Sequence, residues 1–227
     1  MSILALLALL LPGLAWWAWL GRREQDPLIS LAQILGVSLA LISLLAEIVF
    51  LFRSHFTLAG LLILLAVFLG MAVFGLILRP WRLHKKHRLT LVIGLALFGL
   101  TLAWRLYQAK DLILPNWVDS QHHYLIVRAI LVKGGLTETL APYLPVPFYY
   151  HFGFHAAAAL FTVLSRLSIG EGMLIFGQIL NAAISLSVYT LGKALWRDWR
   201  PAAAAALLVS FATRMPAYYL SWGRYTL

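Results

Sequence analysis

The chain contains no cysteine and very little charge. The first absence removes every disulfide and thiolate metal site, yet it fits any redox compartment and so does not locate the protein. The second decides more. Only 11% of the residues are charged and 62% are apolar, with a mean hydropathy of +0.86. A soluble domain carries roughly a quarter charged residues, so this chain could not cover itself with polar surface. Acids are scarcer still, eight against eighteen Lys and Arg. The resulting charge of +10 suits anionic lipid head groups and phosphates. It gives no reason to expect nucleic acid as a partner.

What is present is a series of long apolar runs. Ile3 to Leu20, Leu28 to Phe52, Thr57 to Leu78 and Leu89 to Leu106 are each long enough to cross a hydrocarbon layer of about 30 Å. Gly172 to Trp196 is a fifth, and Pro201 to about Tyr219 a sixth, interrupted near its end by Arg214 and Pro216. The runs do not alternate apolar with polar residues, so they predict helices and not barrel strands. The fold class expected is all-α, a polytopic bundle of about six spans with juxtamembrane helices. The first run lacks a basic leader and a small-residue cleavage pattern, and carries Trp16, Trp17 and Trp19. It reads as a retained span with an aromatic interfacial end.

Charge sets the orientation. The stretch from Arg79 to Arg88 holds five Lys or Arg and no acid, which places it in the cytoplasm. Alternation then puts Arg22 and Arg23 inside and the segment from Gln108 to about Glu171 outside. Phe152 to Leu167 is apolar but short, and reads as an interfacial or re-entrant segment, leaving Lys193, Arg197 and Arg200 inside. Both termini are then outside. Glu47 sits one turn from a helix end, where Arg53 or Arg105 would be its partner.

The outer segment holds half of the acids and four of the seven histidines. Ser120 to Lys133 predicts an amphipathic helix, closed by Gly134-Gly135 and capped by Asp119 or Ser120, with Leu125, Ile126, Ala129, Ile130 and Val132 as its apolar residues. Asp119 either caps this helix or serves as a carboxylate that accepts a proton from an attacking hydroxyl. His151 and His155 are spaced i, i+4, a spacing that on one helix face could share a metal with Asp119; backbone, lipid or substrate phosphate are the other partners for these rings. No residue is assigned as a metal ligand and no cofactor is required. Arg214 and Arg224 lie at the outer end of the last run, where snorkelling competes with a functional role.

The stretch Trp117-Val118-Asp119-Ser120-Gln121-His122-His123, with the helix ending in Gly134-Gly135 and then Tyr149-Tyr150-His151-Phe152-Gly153-Phe154-His155, resembles the first outer loop of GT-C glycosyltransferases. These include the protein O-mannosyltransferases and the aminoarabinose transferases of lipid A. The resemblance covers about Leu89 onward, leaving residues 1–88 as three additional helices and 89–227 as a core fragment with its outer loop at 108–171. It implies transfer of a sugar from a lipid-phosphate-linked donor to an acceptor at the outer face, with inversion. Asp119 would be the base or the acceptor-orienting carboxylate. His122, His123, Tyr150, His151, His155, Arg214, Arg224 and Tyr225 would bind substrate. The partners implied are the lipid-linked sugar, an acceptor and membrane lipids, in a bacterial inner or plasma membrane. Two departures stand out: no second acid follows in Ser221-Trp222-Gly223-Arg224-Tyr225-Thr226, and the chain is short for the family, as an N-terminal fragment would be. A transporter or flippase component and a non-catalytic membrane scaffold are the competing classes. The former predicts broken helices and charge near mid-membrane.

Overall fold

The computed structural model describes residues 3–21, 26–114 and 119–213. Eight α-helices run through these residues: α1 Ile3–Leu20, α2 Pro27–Leu51, α3 Leu58–Leu78, α4 Arg88–Ala109, α5 Asp119–Lys133, α6 Gly153–Ser165, α7 Ile169–Trp196 and α8 Trp199–Leu207. A 3₁₀ turn, Lys85–His87, leads into α4, and a π turn, Leu208–Ala212, follows α8. Five helices are long and apolar enough to cross a membrane: α1, α2, α3, α4 with its lead-in turn, and α7. The protein is a multi-pass helical membrane protein. The expected sixth span extends past Thr213 into residues outside the described set; its described part is α8 and the π turn.

Helix ends follow local chemistry. The Asp26 carboxylate accepts from Leu28 N–H (3.0 Å) ahead of Pro27, which loses nothing by lacking an N–H at the first position. Thr57 caps α3 through Gly60 N–H, and Ser168 with Glu171 closes a reciprocal capping box on α7. At the end of α5, Gly134 takes φ +70° and Gly135 N–H reaches back to the Ile130 carbonyl (3.0 Å). That six-to-one bond needs a residue without a Cβ at the turn, as the Gly-Gly pair predicts.

The bundle has two ends. At the basic end, Leu28, Leu91, Leu186, Tyr189, Trp199 and Ala202 pack together, joining the starts of α2, α4 and α8 to the last turns of α7. Trp17 meets Trp81 edge-on at 6.0 Å, and an Arg79 guanidinium N–H donates to the Trp19 carbonyl. Arg79 to Arg88 and Lys193 to Arg200 therefore share one end. Here too the Tyr189 hydroxyl donates to the buried Asp26 carboxylate (2.6 Å), tying α7 to the cap of α2. The opposite, loop end gathers the α2–α3 turn and residues 110–114 and 119–168.

Close helix approach depends on small residues, as in other membrane bundles. Pro12 lies inside the continuous helix α1, and the next residue, Gly13, donates its N–H to Ser38 Oγ of α2 (2.7 Å). A Cβ on Gly13 would lie 1.8 Å from the Ile34 carbonyl oxygen, so the two backbones nearly touch. α3 packs on α1 and buries only Ala72 and Gly75. Its other face is Leu, Ile, Val and Phe, which suits lipid and not water.

α6 spans 13 residues, about 20 Å at helical rise, too short to cross. It packs among α1, α2, α5 and α7, and a three-residue turn joins it to α7. It is thus neither a span nor a surface helix, but a partial insertion in the bundle. Between α5 and α6, Ala141-Pro142 is a cis peptide, and the chain doubles back with Phe148 N–H on the Glu138 carbonyl (2.9 Å) and Leu140 N–H on Val146 (3.2 Å). Glu47 is half-buried, and no ion pair joins it to Arg53 or Arg105 among the described residues. The expected partner Arg105 is bound elsewhere, as described below.

Candidate functional site

Asp119 is the first residue of α5 and half-buried, with Ser120 buried beside it. Both lie inside the helix's first turn, where a carboxylate meets the positive end of the helix dipole. His123 is four residues on, so it projects from the same face as Asp119. The fourfold step carries that face into the bundle: His123 is 2% exposed, whereas His122, 100° round the helix, is exposed. The apolar face differs slightly from expectation. Val127 is fully buried on it, and Val132 points outward.

The partner of His123 comes from α6. His123 Nδ1 and His155 Nε2 lie 2.8 Å apart, and His155 is fully buried. One of the two nitrogens carries the proton and the other accepts it. This replaces the expected use of His151 with His155. α6 begins at Gly153, so His151 precedes the helix, is exposed, and does not share a helical face with His155. A metal bridging His123 and His155 would have to displace a direct hydrogen bond. No group of three His, Cys, Asp or Glu suited to a metal occurs among the described residues.

Aromatic rings enclose the pair. Tyr150 lies 6.0 Å from the His123 ring and 5.9 Å from His155, and Phe154 lies 6.3 and 5.6 Å away. Phe154 stacks on Phe176 of α7 at 5.5 Å, and Phe176 on Phe161 at 5.7 Å. Gly153 permits this seat, since its Cβ would stand 3.0 Å from Ser43 Oγ of α2. His151 reaches only the rim, 5.6 Å from Tyr150. The structure thus gathers Asp119, His123, Tyr150, His151 and His155 at the loop end, and turns His122 away. Arg214, Arg224 and Tyr225 lie outside the described residues.

Burial lowers the His155 pKa to about 3, the nearby His123 ring adding to the effect. The His151 carbonyl opposes it without forming a hydrogen bond to Nδ1. A histidine that is neutral when folded and titrates near 6.5 when unfolded stabilises the fold above pH 6.5. That contribution is lost as pH falls from 6.5 toward about 3, because only the unfolded chain takes up the proton. Unfolding in detergent at pH 5 and pH 7.5 should differ by on the order of 1–2 kcal/mol from this group, less stable at pH 5. His155→Gln should flatten the difference. An unchanged pH dependence in the variant would show that His155 is not its source.

A second polar cluster lies within the spans. Arg105 of α4 is 5% exposed, and its guanidinium donates to the Ser210 carbonyl (2.6 Å) and to Gln108 Oε1 (3.0 Å). Asn181 and Ser185 of α7 complete the cluster, both buried. The Ser210 carbonyl belongs to the π turn, whose irregular backbone gives the cation an acceptor. An arginine inside an apolar run was visible in the sequence, but its acceptor, a backbone carbonyl 105 residues away, was not.

Comparison with known proteins returns no match to any family model, to any curated protein or to any solved structure. The protein is a multi-pass helical membrane protein with a carboxylate and a buried histidine pair at one end of its bundle.

Proposed function

We propose that the chain transfers a sugar from a lipid-phosphate-linked donor to an acceptor hydroxyl at the outer membrane face. The observation that carries this reading is the row Asp119, His123, His155: a half-buried carboxylate in a helix's first turn, one turn before a buried imidazole that is hydrogen-bonded to another. A general base must be held in place and near a boundary that both a lipid head group and a polar acceptor can reach. In the reaction the acceptor oxygen bonds to the anomeric carbon as the bond to the phosphate oxygen breaks. The lipid phosphate leaves with the electron pair, and the acceptor proton passes to Asp119. His123 and His155 hold the α5–α6 pairing behind the carboxylate. His151, with Arg214 and Arg224, is assigned to the departing phosphate, on the grounds of charge and sequence position.

The test is release of polyprenyl phosphate from a labelled polyprenyl-phosphate sugar by the chain in proteoliposomes, with an acceptor panel of glycans, peptides and lipid A. Release above that of empty liposomes supports the reading, and none with any donor overturns it. Orientation has its own check, made clean by the lack of native cysteine. In intact cells an impermeant maleimide should label His55→Cys and Tyr149→Cys and leave Lys86→Cys unlabelled. The reverse pattern would put the site on the wrong face for this chemistry.

One observation favours a second reading, a transporter or flippase component. Arg105 is a buried cation within a span, bound to an irregular turn of helix, and such features line substrate paths in transporters. Movement of labelled lipid between leaflets without bond cleavage would select it.

A further inference from the structure

An apolar cavity lies among the helices beside α6, lined there by Ala156, Ala159, Leu160 and Val163, and neither His123 nor His155 is among its lining residues. It encloses about 240 Å³ between α1, α2, α3, α5 and α6, with Ala8, Pro12, Ala46, Leu65, Ile130 and Ala159 among its walls. A cavity of about 150 Å³ lined by aliphatic side chains stays dry and takes up benzene. In a bilayer the surrounding medium is itself hydrocarbon, so an apolar void that opens to it gains dispersion contacts by admitting a chain. α3, which forms one wall, is the helix with the least burial in the bundle and otherwise faces lipid.

Two permanent cations, Arg53 and Lys133, stand close in the chain to the loop-end margin of this cavity. Phe56 and Gly134 line its loop-end margin, joined by the Phe56 N–H on the Gly134 carbonyl. Within three residues of that bond stand Arg53, His55 and Lys133, all exposed, and a Cβ on Gly134 would touch the His55 Cβ at 3.2 Å. Arg53 and Lys133 are at the end opposite the basic loops, so the charge rule that accounts for Arg79 to Arg88 does not account for them. Glu47, on the adjoining turn of α2, is not among the lining residues, whereas Leu45 and Ala46 are.

We infer that this cavity is a lipid site: it holds one hydrocarbon chain of a phosphate-headed lipid, whose phosphate rests on Arg53, His55 and Lys133. The inference is independent of sugar transfer and stands if that reading fails. An apolar cavity with Arg53 and Lys133 next to its margin matches both parts of such a lipid, and neither part alone would select it. A bilayer phospholipid and a polyprenyl phosphate share this chemistry.

The experiment is native mass spectrometry of the full chain purified in mild non-ionic detergent, with organic extraction to identify what is bound. Wild type should retain one lipid per chain. Ala159→Phe, which fills the cavity from α6, should lower the bound fraction by about tenfold. Arg53→Gln with Lys133→Gln should also lower it while leaving helical content and elution volume unchanged. The rim pair keeps the question answerable if Ala159→Phe fails to fold. A phospholipid mass identifies the bilayer as the source, and a polyprenyl phosphate mass identifies a dedicated lipid. A wild-type chain without retained lipid, or retention unaltered by a folded Ala159→Phe variant and by the rim pair, overturns the inference.

Discussion

Asp119→Asn should reduce sugar transfer by about 10²–10⁴-fold, the usual contribution of a positioned general base. Asparagine keeps the size and can still accept a hydrogen bond, so the helix start should survive and the loss should fall on kcat. His123→Gln should cost less, because it removes support behind the carboxylate and not the group that takes the proton. The comparison separates roles. If Asp119→Asn retained activity while His123→Gln lost it, the imidazole would be the base and the carboxylate its orienting partner. Equal, small effects in both would leave this cluster with a packing role alone. Circular dichroism on each variant guards against loss of fold as the cause.

Gly13→Leu is expected to have the largest effect on stability. The α1 and α2 backbones meet at Gly13, where a Cβ would lie 1.8 Å from the Ile34 carbonyl oxygen and 2.8 Å from Ser38 Oγ. No rotamer relieves a clash with the backbone, so the helices must separate, giving up the Gly13 to Ser38 hydrogen bond as well. Overpacking of this kind costs about 3 kcal/mol or more. Because α3 packs on α1, it should loosen in step. Titration with a denaturing detergent, followed by circular dichroism, would measure the loss. Gly36→Leu is the control: the same substitution on the same pair of helices, at a glycine with open space around it. Equal destabilisation by both would refute the close-approach explanation.

The spans were legible because the bilayer imposes a length and a composition that local sequence must satisfy. Ile3 to Leu20 is a helix over those residues, and the other four long runs match their helices within three residues at each end. α5 was legible for a different reason, its periodicity and the Gly-Gly stop. α6 was harder. Its 13 residues are apolar enough to insert and too few to cross, and only the packing of four other helices around it settles where it lies. Which of the singled-out side chains would lie together was only partly legible, and their pairing was not. His123, Tyr150 and His155 were all singled out, but spacing rules compare neighbours on one helix, and they joined His155 to His151. The actual partner is 32 residues away on another helix. Polar links between helices, such as Arg105 to Ser210, leave no periodic mark at all.

The bond between Tyr189 and Asp26 also carries a statement about order of assembly. Asp26 begins the second helix, yet its carboxylate finds the phenol only after 163 further residues have been made. At about 5–20 residues per second, that interval is on the order of 8–30 s of synthesis. During it the carboxylate has only its own helix cap for company. It waits at the basic end of the bundle, where water can solvate it. Had the same acid stood in the middle of α2, hydrocarbon would have charged several kcal/mol for the delay. Its place at a helix end lets the early helices insert first and the seventh close over them later.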